Sequence, residues 1–593
     1  MSAHDLILKV LRQPFLPVWF ALTIMVALST AWIIARARAQ FQRVPADVTA
    51  GSQSISPRGS WLTLGMFCLF FLGYVALMFV WEDFAYYDDS QFTLYSLKGY
   101  NFPPPVWVDS GRFFPLGFQE FNIIGRLSHN VDAYHALSVL QLLFVCAILL
   151  TLDRDLSLRA RIALAACVLL SPAVTISFGG LIYSERNIIF WLLCLLFYLK
   201  RFDQKQSILA ALAAIICAQF MLYYKESAFL LLWGLAAGRL VMRCWNTGKP
   251  GWNFQRLRET SSRLDFCLAA LGFIFLICYA ATMFRHTRLQ YVQQQSLPEL
   301  QVLSLYLKMD LLAWLLVVVV AIRTFLIWKR KIVPSPFWEG LAWGAVAYLA
   351  SFLCLRMFSP YYLAPVDLIA VLYLGRLAVL SWQRQLAYGR FAIAAALCII
   401  LVQNISLSTF REFERKNLIH AKSEMANVIQ AEFQHHGGSA MRLFFPFANR
   451  YVTMEFGAYL SYRGLNMEEA DDKSVDKHHV VIVSRAMQSD GKIEDYRDII
   501  GHAGQNPQPG DLVIVLPDDD ISDAGAAPYL HGGNELFLYE PNNRFPRWLW
   551  SFMKPLHFAS PEFQREPLPD HWLDASVTVW KGSQGLSTRT GTP

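Results

Sequence analysis

The chain has 593 residues, 55% of them apolar and 16% charged, with a formal net charge of +7. That balance excludes an ordinary soluble domain, because the apolar runs are long enough to cross a hydrocarbon layer of roughly 30 Å, for which about 20 helical residues suffice. The modest positive charge gives no reason to expect nucleic acid as a partner, since basic loops are what orient a membrane protein.

Taken in chain order, the apolar runs predict about twelve spans, near residues 14–35, 61–81, 136–152, 160–178, 188–200, 207–223, 227–243, 264–284, 306–328, 337–355, 361–380 and 391–407. Arg36 and Arg38 follow the first run directly and no small-residue cleavage site stands out, so that run does not read as a secretory signal. The loops after alternate spans are basic: Arg36, Arg38, Arg43 and Arg58; Arg154, Arg159 and Arg161; Lys200, Arg201 and Lys205; Arg243, Lys249, Arg256, Arg258 and Arg263; Lys329, Arg330 and Lys331; Arg384 and Arg390. If this set is cytoplasmic, loops 82–135, 179–187, 223–227, 285–305 and 356–360 face outward, with the tail after about residue 407. The amino terminus would then be outside as well, unless the first run is interfacial or re-entrant. Nine of the ten cysteines lie in apolar runs, without metal-ligand or disulfide spacing, and read as small buried hydrophobes.

The second apolar run ends in "WEDFAYYDDSQ" at 81–91, which places Glu82, Asp83, Asp88 and Asp89 within eight residues. Asp89 can cap a helix over "SQFTLYSLK", with Gly99 beyond Lys98. Capping needs one Asp, however, and adjacent acids repel, so the crowding points to a carboxylate that gains its partner when substrate arrives. In the same long loop Asp109 and Arg112 flank Gly111, and Glu120 either takes part in chemistry or holds the loop.

The short outward loops are charged too. "GGLIYSERN" holds Glu185 and Arg186, "YYKES" holds Lys225 and Glu226, and "LRMFSPYY" sets Arg356 beside Tyr361 and Tyr362; loop 285–305 opens with Arg285, His286 and Arg288. Snorkelling and an aromatic belt account for the bases and tyrosines taken singly, but less well for the glutamates. Ionisable groups at span ends are functional candidates. Arg and Lys suit phosphate oxygens, and a nearby carboxylate can activate a hydroxyl. Phosphate departs readily as an anion, so sugar transfer from a lipid phosphate does not demand the second carboxyl that a glycosidase uses.

This architecture, with "YYDDSQ" in a long first outer loop, resembles the GT-C superfamily of membrane glycosyltransferases that use polyprenyl-linked sugar donors. The likeness covers about residues 61–407, and "YSERN" and "YYKES" are similar to charged outer-loop motifs of bacterial members. One departure is the extra run at 14–35 before the acidic loop. The resemblance implies an α-helical polytopic membrane protein with an inverting transfer, Asp88 or Asp89 being the base. Lys225, Arg285, Arg288 and Arg356 would be phosphate ligands, and Glu185 and Glu226 would orient the sugar or fix those cations. Glu82, Asp83, Asp109, Arg112, Arg186 and Tyr361 complete the substrate-site candidates. Some relatives use a divalent cation, Mg²⁺ or Mn²⁺, and others do not, so a metal stays open here. The expected partners are a polyprenyl-phosphate sugar, the lipid bilayer and a glycan, lipid or protein acceptor. The expected place is the cytoplasmic (inner) membrane, with the active site outside. The alternatives are a surface-polysaccharide polymerase or ligase using lipid pyrophosphate, and a non-enzymatic transporter or envelope subunit.

From about residue 408 the composition changes. "FREFERKNLIHAKSEMANVIQAEFQ" predicts an amphipathic helix, followed by strand-like runs "RLFFPF", "HVVIVS", "DLVIVLP", "ELFLYE" and "VTVW". Residues 408–593 are therefore expected to form a small soluble α/β domain. "PDDD" at 517–520 reads as a solvated acidic turn, and the aromatic stretch at 546–556 either docks on the membrane or packs on the domain.

Overall fold

The computed structural model describes residues 24, 28, 57–80, 82–90, 92, 101–107, 111–245, 252–283, 297–383, 387–435, 441–445, 450–465, 467–468, 480–484, 509–516, 533–539 and 575–580. Asp109, Arg285, Arg288, the acidic turn at 517–520, the aromatic stretch at 546–556 and nearly all of the run at 14–35 lie outside these residues. The chain divides into two compact units. The first takes Met1–Val80, Pro103–Glu120 and His135–Thr409, and the second Trp81–Phe102, Phe121–Tyr134 and Phe410–Pro593.

The helices are α1 (Pro57–Phe79), α2 (Gln119–Ile124), α3 (Val131–Leu152), α4 (Leu158–Leu169), α5 (Pro172–Gly179), α6 (Glu185–Lys205), α7 (Ile208–Tyr224), α8 (Ala228–Cys244), α9 (Thr260–Met283), α10 (Glu299–Met309), α11 (Leu311–Trp328), α12 (Pro336–Cys354), α13 (Ala364–Gln383), α14 (Ala387–His435) and α15 (Arg450–Tyr462). Local chemistry sets several boundaries. Ser157 caps α4 by accepting from Ala160 N, and Asp310 caps α11 by accepting from Ala313 N at 2.9 Å. Pro172 and Pro336 stand in the first turns of α5 and α12, where no N–H is missed.

Among the described residues, six helices are long and apolar enough to cross a membrane: Trp61–Phe79, Val131–Leu152, Thr260–Met283, Leu311–Trp328, Pro336–Cys354 and Pro360–Trp382. The α4 and α5 pair, bent by 64°, would make a seventh. The sequence suggested about twelve, of which the run at 14–35 lies almost wholly outside the described residues. The run at 160–178 is broken where Ser171 and Pro172 start a new helix. The runs at 188–200, 207–223 and 227–243 are helical, but α6 carries charge at both ends and α7 and α8 have 17 residues each. The run at 391–407 is helical, as expected of a span, and continues through the amphipathic stretch as α14, a helix of 49 residues.

The first unit is held by close helix packing. α8 carries Gly234 and Gly238, and α12 carries Gly340 and Gly344, each pair four apart as in small-residue membrane interfaces. A methyl on Gly340 would lie 2.8 Å from the Leu235 carbonyl oxygen, and one on Gly344 2.8 Å from that of Leu231. A methyl on Gly234 would meet the Gly344 Cα at 2.7 Å. These contacts are backbone against backbone, so no side-chain movement relieves them. Residues Ile188, Leu192, Leu195 and Leu199 of α6 lie fully buried in the same core.

Basic residues from the ends of alternate runs, Lys200 and Arg243 among them, enter three charge networks at one end of this unit. Arg239 donates through Nε to Asp265 Oδ1 at 2.6 Å and through both terminal nitrogens to Asp203 at 3.0 and 3.1 Å. Arg243 bonds the same two aspartates at 3.0 and 2.9 Å. Asp153 accepts from Lys200 at 2.6 Å and Arg376 at 2.8 Å. Burial opposes its ionised form, but those two cations outweigh it and hold Asp153 below the usual carboxylate range. Arg323 bonds Glu339, whose other oxygen accepts from Tyr373. The sequence placed its telling charges at the opposite rim and did not pair these residues; the structure shows buried ionic networks at this end as well.

The second unit contains a six-stranded mixed sheet in the order β4-β5-β3-β6-β8-β7. Its strands are β3 (Met441–Phe445), β4 (Met467–Glu468), β5 (Val480–Ser484), β6 (Leu512–Val515), β7 (Gly533–Tyr539) and β8 (Ala575–Trp580), while β1 (Val106–Trp107) and β2 (Arg112–Phe113) form a separate antiparallel pair in the first unit. β3 pairs in parallel with β5 and β6, and β8 runs antiparallel to β6 and β7. Leu443, Phe444 and Phe445 of β3 and all of β6 are buried, as the continuous apolar runs of central parallel strands require.

The glycine interface makes a direct prediction. Gly344→Leu, or Gly340→Leu, should lower unfolding free energy by about 1–3 kcal/mol through overpacking, read as a lower thermal midpoint of the purified protein. Gly65→Leu should leave the midpoint unchanged, because nothing lies within 4 Å of its added Cβ. Equal midpoints for all three variants would contradict the packing assignment.

Candidate functional site

At the end of the first unit opposite the basic loops, the short charged loops come together. α7 ends at Tyr224 and α8 begins at Ala228, so Lys225, Glu226 and Ser227 form the whole connection. Lys225 sits in extended backbone at the α7 C-cap and is buried. Its ammonium donates to Glu185 Oε1, on the first residue of α6, which is also buried. The same ammonium lies 3.9 Å from the ring centre of Tyr362 and 5.6 Å from that of Tyr361. Pro360 starts the short 3-10 turn that presents both rings. Tyr361 packs on Tyr183 at 4.2 Å and Tyr362 stacks on Phe352 at 4.7 Å, so the aromatic platform is itself fixed.

Two more pairs close this end. Arg112 donates to Glu226 Oε1 at 2.6 Å, and its guanidinium lies 4.6 Å from the Phe114 ring centre. Gly111, with φ of 71°, makes the turn into β2, and its carbonyl accepts from the Tyr279 hydroxyl at 3.0 Å. Glu120 accepts from Arg186 at 3.0 Å, Asn187 at 2.7 Å and the Tyr224 hydroxyl at 3.4 Å. Arg186 is fully buried and also bonds the Ser138 hydroxyl. These bonds give Glu120 and Arg186 a structural role in tying α2, α3, α6 and α7.

Of the sequence candidates in this unit, Glu185, Lys225 and Tyr361 form one cluster and Arg112 and Glu226 a second pair. Arg356 stands apart from both, in an exposed ion pair with Glu299, with φ of 55°. Tyr362 was noticed in the sequence without a role, and Glu120 as either part of the chemistry or a holder of its loop. Ser227 and Tyr348 were not singled out, because a lone hydroxyl in an apolar helix carries no pattern.

Within the second unit the acidic segment divides. Glu82 accepts from Arg415 at 2.6 Å and from Lys416. Burial lowers the Lys416 pKa and Arg415 adds to the effect, with Glu82 acting against both. Asp83 accepts from Phe84 N at 2.8 Å and from the Tyr459 hydroxyl, and Arg463 lies 3.5 Å away. Burial nevertheless raises the Asp83 pKa. Glu82 and Asp83 are thus anchors of their segment on α14 and α15. Asp88 and Asp89 lie in the 3-10 turn Tyr87–Ser90, and Asp89 is buried with its N–H bonded to Tyr86 O at 2.8 Å. The helix expected after Asp89, over residues 90–98, lies almost wholly outside the described residues.

The helices define a multi-pass membrane protein. No family model matches the chain, and no curated protein matches it. Among solved structures it is similar to the crystal structure of ArnT from Cupriavidus metallidurans bound to undecaprenyl phosphate, at 12% identity and a TM-score of 0.40, covering 80% of this chain and 95% of that one. A likeness at that TM-score fixes neither fold nor function.

Two predictions arise from these contacts. Lys225→Met or Glu185→Gln alone strands a buried partner and should cost about 3–5 kcal/mol of stability, whereas the double variant should cost clearly less than the sum. A double-mutant cycle on thermal unfolding checks this; additive losses would show that the two side chains do not interact. For Asp83, the folded pKa is raised, so its contribution is full below the unfolded value of about 3.9 and is lost as pH climbs through the raised one. Asp83→Asn should flatten the fall of stability with pH from about 4 upward. An unchanged slope would remove Asp83 as its source.

Proposed function

We propose that this chain is an integral membrane glycosyltransferase, which takes a sugar from a polyprenyl phosphate and transfers it, with inversion, to a glycan, lipid or protein acceptor at the outer face of the cytoplasmic membrane. The observation that carries the reading is Lys225: a buried ammonium at a bundle end, held by Glu185 above Tyr362 and Tyr361. An ammonium has three donors, and Glu185 takes one, which leaves the group suited to an anionic lipid headgroup. The aromatic platform raises its electrostatic anchoring without consuming those donors.

In this reading the acceptor hydroxyl attacks the anomeric carbon. Its proton passes to a general base, the bond from the anomeric carbon to phosphate oxygen breaks, and polyprenyl phosphate leaves with the bonding pair. The acidic motif of the sequence offers Asp88 or Asp89 as that base. Lys225 stabilises the charge that develops on that phosphate. Arg112 and Glu226 fix one another at the same bundle end and order the β1–β2 hairpin. Among the described residues no group of three or more His, Cys, Asp or Glu is placed to hold a metal ion.

The test is sugar transfer in membranes supplied with radiolabelled polyprenyl-phosphate sugars. Asp88→Asn or Asp89→Asn should lower transfer by about 10²–10⁴, the worth of a positioned base, with normal protein levels. Transfer at the wild-type rate in both variants would refute the assignment of the base.

A further inference from the structure

Three polar atoms around Lys225 are buried without a hydrogen bond: Glu226 Oε2, the Ser227 hydroxyl and the Tyr348 hydroxyl. All belong to the first unit. Glu226 and Ser227 follow Lys225 in the α7–α8 connection. Tyr348 projects from α12, is fully buried, and lies next to Ser227 within the electrostatic reach of Glu185 and Glu226. The Ser227 and Tyr348 hydroxyls lie close enough for a weak mutual interaction but outside full hydrogen-bond geometry, which leaves each with unused bonding capacity. Aromatic contacts link Tyr348 to the Lys225 platform. Its ring packs edge-on against Phe352 at 5.1 Å, and Phe352 stacks on Tyr362.

Leaving buried donors and acceptors unmade is costly, and folded proteins rarely do so. Two other tyrosines of this bundle end obey that rule. Tyr306 donates to Met357 O at 2.9 Å and Tyr279 to Gly111 O at 3.0 Å. A position needed only for packing at 348 would be served by Phe, which has the same shape without the hydroxyl. The unmatched set has a definite chemistry: one carboxylate oxygen that only accepts and two hydroxyls that each donate and accept. A polyol satisfies such a set, whereas a hydrocarbon chain cannot.

We propose that Tyr348, Ser227 and Glu226 form a hydroxyl-reading subsite that binds neighbouring hydroxyls of the donor sugar beside the Lys225 phosphate site. It rests on the glycosyltransferase reading for the identity of the ligand. Glu226 accepts from one sugar hydroxyl, and Ser227 and Tyr348 bond the next. The three residues then choose among sugars by the positions of their hydroxyls, because a site built to bond a hydroxyl rejects the analogue that lacks it.

The test uses the full-length protein in lipid nanodiscs. Polyprenyl-phosphate hexoses and their monodeoxy analogues compete with radiolabelled polyprenyl phosphate, whose own binding reports that each variant is folded. The wild type should bind one parent sugar about tenfold or more tightly than one of its deoxy analogues, the worth of a single lost hydrogen bond. Tyr348→Phe and Ser227→Ala should each erase that preference. Two results overturn the subsite: no hydroxyl preference in the wild type, or a preference that both variants keep, as expected if only water fills these positions. Transfer measured separately divides the two readings. Transfer without hydroxyl preference leaves the glycosyltransferase standing and removes the subsite, and hydroxyl-dependent binding without transfer does the reverse.

Discussion

A charge carried into a helical bundle in a bilayer must find its counter-charge within the protein, since no water is there to solvate it. This constraint organises the first unit at both ends, but it is met differently at each. At the basic end Arg239 spends Nε and both terminal nitrogens on two aspartates, which Arg243 shares. That network is closed, and its work is to lock α6, α8 and α9. At the other end the central cation is a lysine with a single carboxylate partner and two aromatic faces. A compact ammonium held in this way is compensated without being saturated. That difference separates a structural ion pair from a binding group.

The acidic segment after α1 shows a similar division within the second unit. Glu82 and Asp83 are committed to Arg415, Lys416 and Tyr459, so they hold their segment on two helices. Two of the four carboxylates are anchors; Asp88 and Asp89 lie in the following 3-10 turn, and their chemistry is the part proposed.

Much of the helical layout was legible because apolar runs and basic loops are local signals. The strand runs were legible for the same reason, since "VVIVS" and "LVIV" need no partner to be recognised. The clustering of Glu185 and Lys225 was suggested by the loop alternation, which sets both at one bundle end. What sequence could not show is pairing at long range. Asp265 lies inside an apolar run and its partner Arg239 is 26 residues away, so neither looks unusual alone. The break at Ser171 and Pro172 interrupts a run whose composition is continuously apolar. Tyr348 is one aromatic among many in α12, and only its unsatisfied hydroxyl next to Ser227 sets it apart.

The central claim is that Lys225 receives a lipid monophosphate that leaves when the sugar is transferred. The most direct measurement is mass spectrometry of the lipid product after the purified protein turns over a polyprenyl-phosphate sugar in nanodiscs. Release of polyprenyl monophosphate, in step with sugar appearing on acceptor, is the result expected. An unchanged donor throughout the panel, or turnover only of a pyrophosphate-linked sugar with release of polyprenyl pyrophosphate, would contradict it.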